Sequence, residues 1–199
     1  MTHVDIPYAS TPRPDTGVSN ATLAMWLFIA SEIMLFGALF SSYALLRIGN
    51  PSWPDQQELL NAPLAALNTI VLVASSGAII RAVNALTGGD TARFRRSLLL
   101  SIAAGILFLG IKGFEYAAEI GGGLLPSTNN FLGLYYAMTG LHALHLLAGL
   151  GVNAFLVGTL PGVYRQHSSK AVSRMRQAAL YWNFIDVVWV AMFVVLYLL

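Results

Sequence analysis

Five long apolar runs, each able to cross a membrane, set the strongest limit on what this chain can fold into. A membrane-spanning helix needs about 20 mostly apolar residues. We expect such helices over about 21–48, 63–86, 97–120, 130–160 and 175–199. Only 10% of the 199 residues are charged, whereas soluble domains carry about 25%. Because the connections are short, neighbouring helices should be antiparallel. The sequence therefore predicts an all-α integral membrane bundle of five transmembrane helices.

The remaining part of the chain is a polar N-terminal segment. Residues 1–20 lack the basic start and apolar core of a signal peptide, so we expect a retained arm on the cytoplasmic side, followed by the transmembrane domain over 21–199. The chain has no cysteine. A disulfide, a thiolate metal site and an iron–sulfur cluster are therefore excluded.

The basic residues lie almost entirely on one side of the predicted bundle. The loops over 49–62 and 121–129 contain no Lys or Arg, and Arg47 alone borders that side. The opposite side carries Arg13, Arg81, Arg93, Arg95, Arg96, Arg165, Lys170, Arg174 and Arg176. Cytoplasmic loops of membrane proteins are enriched in Lys and Arg. The sequence thus predicts a cytoplasmic N-terminus and an external C-terminus.

Four ionisable residues fall deep inside these runs: Glu32, His142, His145 and Asp186. At 1.5 Å per residue each lies roughly 16–22 Å from its own end of a hydrocarbon core about 30 Å thick. They should therefore share the middle of the membrane. Ionisable residues are costly there and usually face protein and serve a function.

The two histidines are three residues apart on one face of the fourth run. One interpretation is a metal or haem site, but both histidines lie on the same helix and the two others, His3 and His167, lie in polar segments. We therefore expect no metal bound by this chain. The other interpretation is hydrogen bonding between helices, worth about 0.6 kcal/mol per bond in a membrane.

Glu32 is the candidate for a functional role. It could exchange protons or line a lipid cleft, or it could be a protonated carboxyl bonded to a histidine of the fourth run, because a lone buried carboxylate takes up a proton. We expect Asp186 to pair with Asn183, a histidine or a neighbouring subunit. Lys112 and Glu115, three residues apart nearer the outer face, should form a structural ion pair.

Four motifs around these residues resemble subunit III of the haem–copper cytochrome c oxidases. They are WLFIASEIMLF (26–36), KGFEY (112–116), TGLHALH (139–145) and YWNFIDVVW (181–189). They occur in the family's order, and the resemblance covers about residues 20–199. The chain resembles a short, five-helix bacterial form of the family. The long form has seven helices, and this chain matches the last five of them.

The resemblance implies a non-catalytic subunit of a respiratory oxidase in the bacterial plasma membrane. The complex reduces oxygen to water and translocates protons. Subunit I, the main contact, holds the haems and copper, and subunit II and a small subunit IV are further partners. In the family, subunit III binds phospholipid, supports proton uptake and protects subunit I. Its buried reactive glutamate matches Glu32, and its first motif histidine matches His142. No nucleic-acid partner is implied.

Two departures from the family pattern change what is expected. Half of the lipid cleft should be missing, or should be supplied by another subunit or by extra helices of subunit I. The family's Tyr-Trp-His is Tyr181-Trp182-Asn183 here, and asparagine cannot titrate. Three other hypotheses remain open: a related subunit of a quinol oxidase or nitric oxide reductase, a free-standing proton-coupled transporter built on Glu32, His142 and Asp186, and an intramembrane metal enzyme.

Overall fold

Among the residues that the structure describes, the bundle consists of five long helices and one short helix between the first two. This computed structural model describes Tyr8 and residues 12–199, leaving the rest of the N-terminal arm outside the described residues. The helices are α1 (Asn20–Gly49), α2 (Gln56–Leu59), α3 (Ala62–Thr87), α4 (Thr91–Gly121), α5 (Asn130–Gln166) and α6 (Ser168–Phe193), and α6 continues as a π-helical turn, Val194–Leu198. All but α2 are long and apolar enough to span a membrane. The predicted fold class is confirmed.

Short polar side chains fix where four of the long helices begin. The side chains of Ser19, Asn61, Asp90 and Asn129 accept a hydrogen bond from the backbone N–H three residues on, at 2.8–3.3 Å. Each bond satisfies one N–H that has no partner within its helix. The first residue of each of these four helices is therefore determined by the polar residue that precedes it and not by the apolar run.

The long helices extend further than the apolar runs predicted. Helix α4 begins at Thr91 instead of 97, since Asp90 caps it directly after the turn at Gly89, where φ is +83°. Helix α6 begins at Ser168 instead of 175. Helix α5 continues through Pro161 to Gln166, although proline supplies no N–H to the preceding turn. The length of an apolar run corresponds to the thickness of the hydrocarbon core, whereas the helix that contains the run continues into the polar region beyond that core.

Helices α3 to α6 form a closed four-helix bundle, and α1 is attached to its side. Contacts join α3 to α4, α4 to α5, α5 to α6 and α6 to α3, whereas α1 packs mainly on α5 and α6. The buried side chains of α1 are Ile29, Phe36 and Tyr43, one every seven residues. A single narrow stripe therefore holds α1, and its other faces are apolar and exposed.

Candidate functional site

Glu32 and His145 meet where α1 crosses α5. Glu32 Oε2 lies 2.8 Å from His145 Nε2, and their side chains are 12% and 15% exposed. The Phe36 ring packs edge-on against the imidazole at 5.4 Å, and the Tyr181 hydroxyl donates to the His145 carbonyl at 3.0 Å. The pair thus joins the first and third motifs inside the membrane-spanning region, close to the lateral surface of the bundle.

The hydrogen-bond pattern fixes how many protons this pair carries. His145 Nδ1 lies 2.8 Å from the Leu141 carbonyl oxygen. A carbonyl only accepts, so Nδ1 carries a hydrogen. The contact between Nε2 and Glu32 Oε2 then also needs one proton, held either by the carboxyl or by the imidazole. In both cases the pair has no net charge, which is the arrangement that costs least in a low-dielectric region.

His142, one helical turn earlier, has a different environment. It is 1% exposed, and neither ring nitrogen has a hydrogen-bond partner among the described residues. Its ring packs against those of Phe108, at 5.7 Å, and Trp189, at 5.2 Å. The two histidines therefore face different neighbours. Within the described residues, no group of three or more His, Cys, Asp or Glu is placed to share a metal ion.

Asp186 contacts serines of α3, and not the partners within this chain that the sequence predicted. Its Oδ2 accepts a short hydrogen bond from Ser76 and lies 3.5 Å from the Ser75 hydroxyl. Ser75 in turn accepts from the Trp182 indole N–H at 2.9 Å. The prediction that Asp186 pairs with Asn183 or a histidine was wrong because this face of α6 packs on α3. The serines of α3 gave no signal, since serine is common in transmembrane sequences.

A larger polar group lies nearer the end of the bundle where α4 ends and α5 begins. We call it the outer polar cluster; its members are Lys112, Glu115, Glu119, Tyr135, Tyr136 and Tyr197. Lys112 Nζ donates to Glu115 at 3.0 Å, to Tyr135 at 2.7 Å and to Tyr197 at 2.5 Å. The Tyr135 hydroxyl donates to Glu119 at 2.8 Å.

The sequence predicted the Lys112–Glu115 contact but missed the other members of the cluster. Glu119 lies four residues after Glu115 and seven after Lys112, a spacing that places all three on one helix face. That spacing could have included Glu119. Tyr135 and Tyr197 gave no such signal, because tyrosines near the ends of transmembrane helices ordinarily anchor in the membrane interface.

Comparison with known proteins assigns the chain to a family. The family model for cytochrome c oxidase subunit III matches residues 15–199. The chain belongs to this family. It is 33% identical over 182 residues to cytochrome c oxidase subunit 3 of Thermostichus vulcanus, covering 89% of this chain and 86% of the relative. It is 35% identical to that of Corynebacterium diphtheriae, covering 95% and 91%.

A third relative comes from a different type of oxidase. Cytochrome bo(3) ubiquinol oxidase subunit 3 of Pseudomonas putida is 30% identical, with 89% of this chain and 84% of the relative covered. The relatives named here are thus close to this chain in length. The chain is subunit III of a haem–copper oxidase, a membrane protein that belongs to a complex with other oxidase subunits.

Proposed function

We propose that this subunit III is non-catalytic and docks on subunit I, which holds the haems and copper. Subunit II and a small subunit IV complete the complex, and this chain binds no redox centre itself. The distribution of basic residues supports a cytoplasmic N-terminus and an external C-terminus in a bacterial plasma membrane. The exposed apolar faces of α1 support contact with phospholipid or with subunit I.

We propose that the Glu32–His145 pair holds one proton in the middle of the membrane and supports proton uptake by the complex. The observation that carries this proposal is the 2.8 Å contact between Glu32 Oε2 and His145 Nε2, with Nδ1 committed to the Leu141 carbonyl. The single proton can move between the carboxyl oxygen and the imidazole nitrogen without changing the charge of the pair.

The electron donor of the complex is either cytochrome c or a quinol. The Thermostichus and Corynebacterium relatives are named as cytochrome c oxidase subunits, and the Pseudomonas relative as a ubiquinol oxidase subunit. We propose the cytochrome c form, since the family model carries that description. The ubiquinol relative makes the quinol oxidase form the second candidate.

The test of the proton role uses Glu32→Ala and Glu32→Gln in the intact complex. Both should assemble, because Glu32 lies on the loosely attached α1. Glu32→Ala removes the proton-holding group and should lower turnover or hasten inactivation. Glu32→Gln keeps the shape and a hydrogen bond to His145 but cannot release a proton, so it should show the same defect.

Glu58→Gln is the matched control, since it removes an exposed carboxylate on α2. It should leave turnover and lifetime unchanged. Turnover and lifetime of both Glu32 variants equal to those of the wild type, with normal assembly, would reduce Glu32 to a packing residue. A defect in Glu32→Ala alone would show that the shape of the side chain matters and its proton does not.

A further inference from the structure

The outer polar cluster is buried and contains more acid than base. Lys112, Glu115 and Glu119 are 3%, 4% and 7% exposed, and Tyr135 and Tyr197 are nearly inaccessible. One ammonium group thus faces two carboxyl groups. If both carboxyls were ionised, one negative charge would lie uncompensated in a buried site, which is strongly unfavourable. The composition of the cluster therefore requires one further proton.

Hydrogen bonds show that Glu115 is the ionised carboxyl. Its Oε2 accepts from Lys112 at 3.0 Å and its Oε1 accepts from the Tyr197 hydroxyl at 2.8 Å. Both oxygens act as acceptors, as a carboxylate does. The three N–H groups of Lys112 are all used within the cluster, on Glu115, Tyr135 and Tyr197. None of them is left for Glu119.

Glu119 has the pattern of a protonated acid. Its Oε1 accepts from Tyr135 at 2.8 Å. Its Oε2 lies 3.2 Å from the Tyr136 hydroxyl, but that hydroxyl is closer to the Leu124 carbonyl, at 2.9 Å. The hydroxyl has one proton for two neighbouring oxygens, and we assign that proton to the shorter contact, with the Leu124 carbonyl. The remaining contact is then satisfied when Glu119 Oε2 carries a proton and donates it to the Tyr136 oxygen.

Different groups surround the cluster on its two sides. Towards the membrane centre the cluster is closed by Trp189, whose ring lies 5.5 Å from Lys112 Nζ, and by His142 behind it. Tyr116 is occupied with Thr139. From α1, Arg47 bonds Tyr43 and the Leu199 carbonyl. Towards the outside, Glu119 is two residues from the end of α4 and Tyr136 touches the following loop at Leu124.

We propose that the outer polar cluster is a proton-exchanging site, in which Glu119 holds one proton beside a fixed Lys112–Glu115 ion pair. In exchange, the O–H bond of Glu119 breaks as its proton passes to the Tyr136 oxygen, and the Tyr136 O–H bond breaks as that hydroxyl releases its own proton to water at the end of the bundle beside Leu124. The cluster then changes from neutral to a charge of −1. This site is separate from the Glu32–His145 pair and does not depend on its role.

Infrared difference spectroscopy of the intact complex, between acidic and alkaline buffer and in H₂O against D₂O, tests the proposal. A protonated carboxyl gives a carbonyl stretching band that shifts in D₂O and disappears when the proton leaves. Glu119→Gln should lose one such band, equivalent to one proton per complex. Lys112→Met should gain a second band, because Glu115 then also needs a proton. Glu58→Gln is the control and should match the wild type.

Two results would overturn the proposal. One is a Glu119→Gln difference spectrum identical to that of the wild type, which would show that Glu119 does not release a proton between the two buffers. The other result comes from Tyr136→Phe, which removes only the hydroxyl bonded to Glu119 and can be measured if Glu119→Gln does not assemble. A shift of the band supports a protonated Glu119, and an unchanged spectrum rejects it.

Discussion

Trp182 is held between two glycines, and this contact yields a sharp prediction about Gly105. The indole is fully buried, and its N–H donates to Ser75 at 2.9 Å. A Cβ added at Gly105 would lie 2.9 Å from Trp182 Cη2 and 3.0 Å from Leu150 Cδ2. On the neighbouring helix α5, a Cβ at Gly149 would lie 3.1 Å from Trp182 Cε3. The ring therefore has no room to retreat from a new methyl group.

We expect Gly105→Ala to destabilise the subunit by about 1–3 kcal/mol, the usual cost of adding a methyl group to a filled core. For domains of this size about 1 kcal/mol corresponds to 2–4 °C in melting temperature. The matched control is Gly110→Ala on the same helix, where an added Cβ meets nothing within 4 Å. Alanine favours a helix over glycine by up to about 1 kcal/mol, so the control should be neutral or stabilising.

The assay is the temperature at which the purified complex loses this subunit, followed by size-exclusion chromatography after heating. The Gly105→Ala complex should lose it several degrees below the wild type, and the Gly110→Ala complex at or above the wild-type temperature. Equal temperatures for the two variants would refute the reasoning, because they would show that the space around Trp182 is not limiting.

Two further predictions concern the polar contacts in the middle of the bundle. The first is a double-mutant cycle with Glu32→Ala and His145→Ala. It should give a coupling energy of about 0.6–1.7 kcal/mol, the range for hydrogen bonds between membrane helices. Additive effects of the two substitutions on subunit stability would contradict the contact. Asp186→Asn should cost less than Asp186→Ala, because the amide oxygen can still accept from Ser76 even though the amide NH₂ group takes the place of Oδ1, which has no partner among the described residues. Asp186→Ala leaves the serine hydroxyls without their acceptor and should cost about 1–3 kcal/mol. Equal melting temperatures for the two variants would contradict this difference.

The sequence was sufficient for the number of spanning helices and for placing Glu32 and a histidine of α5 at one level of the bundle. Run length and helical rise are local properties, and they placed Glu32 and His145 at the same level of the membrane. They could not determine which histidine meets Glu32, because His142 and His145 are both on the buried side of α5. The choice depends on how α1 leans against α5 and α6.

The partners of Asp186 and Glu119 illustrate a second limit of sequence reasoning. Each depends on residues more than 15 positions away: Ser75 and Ser76 on α3 for Asp186, and Tyr135 and Tyr136 on α5 for Glu119. Serine and tyrosine are common in transmembrane sequences and give no warning of such contacts. Only the packing of α3 on α6 and of α4 on α5 brings these side chains together.

The central claim is that this chain works as an accessory subunit of a haem–copper oxidase, and co-purification tests it most directly. The chain would be captured from native membranes in mild detergent, its partners identified by mass spectrometry, and the reduced-minus-oxidised visible spectrum of the eluate recorded. The account predicts haem bands together with a large oxidase subunit, and the haem type would narrow the choice of electron donor. A colourless chain recovered alone would contradict it and would favour the free-standing transporter.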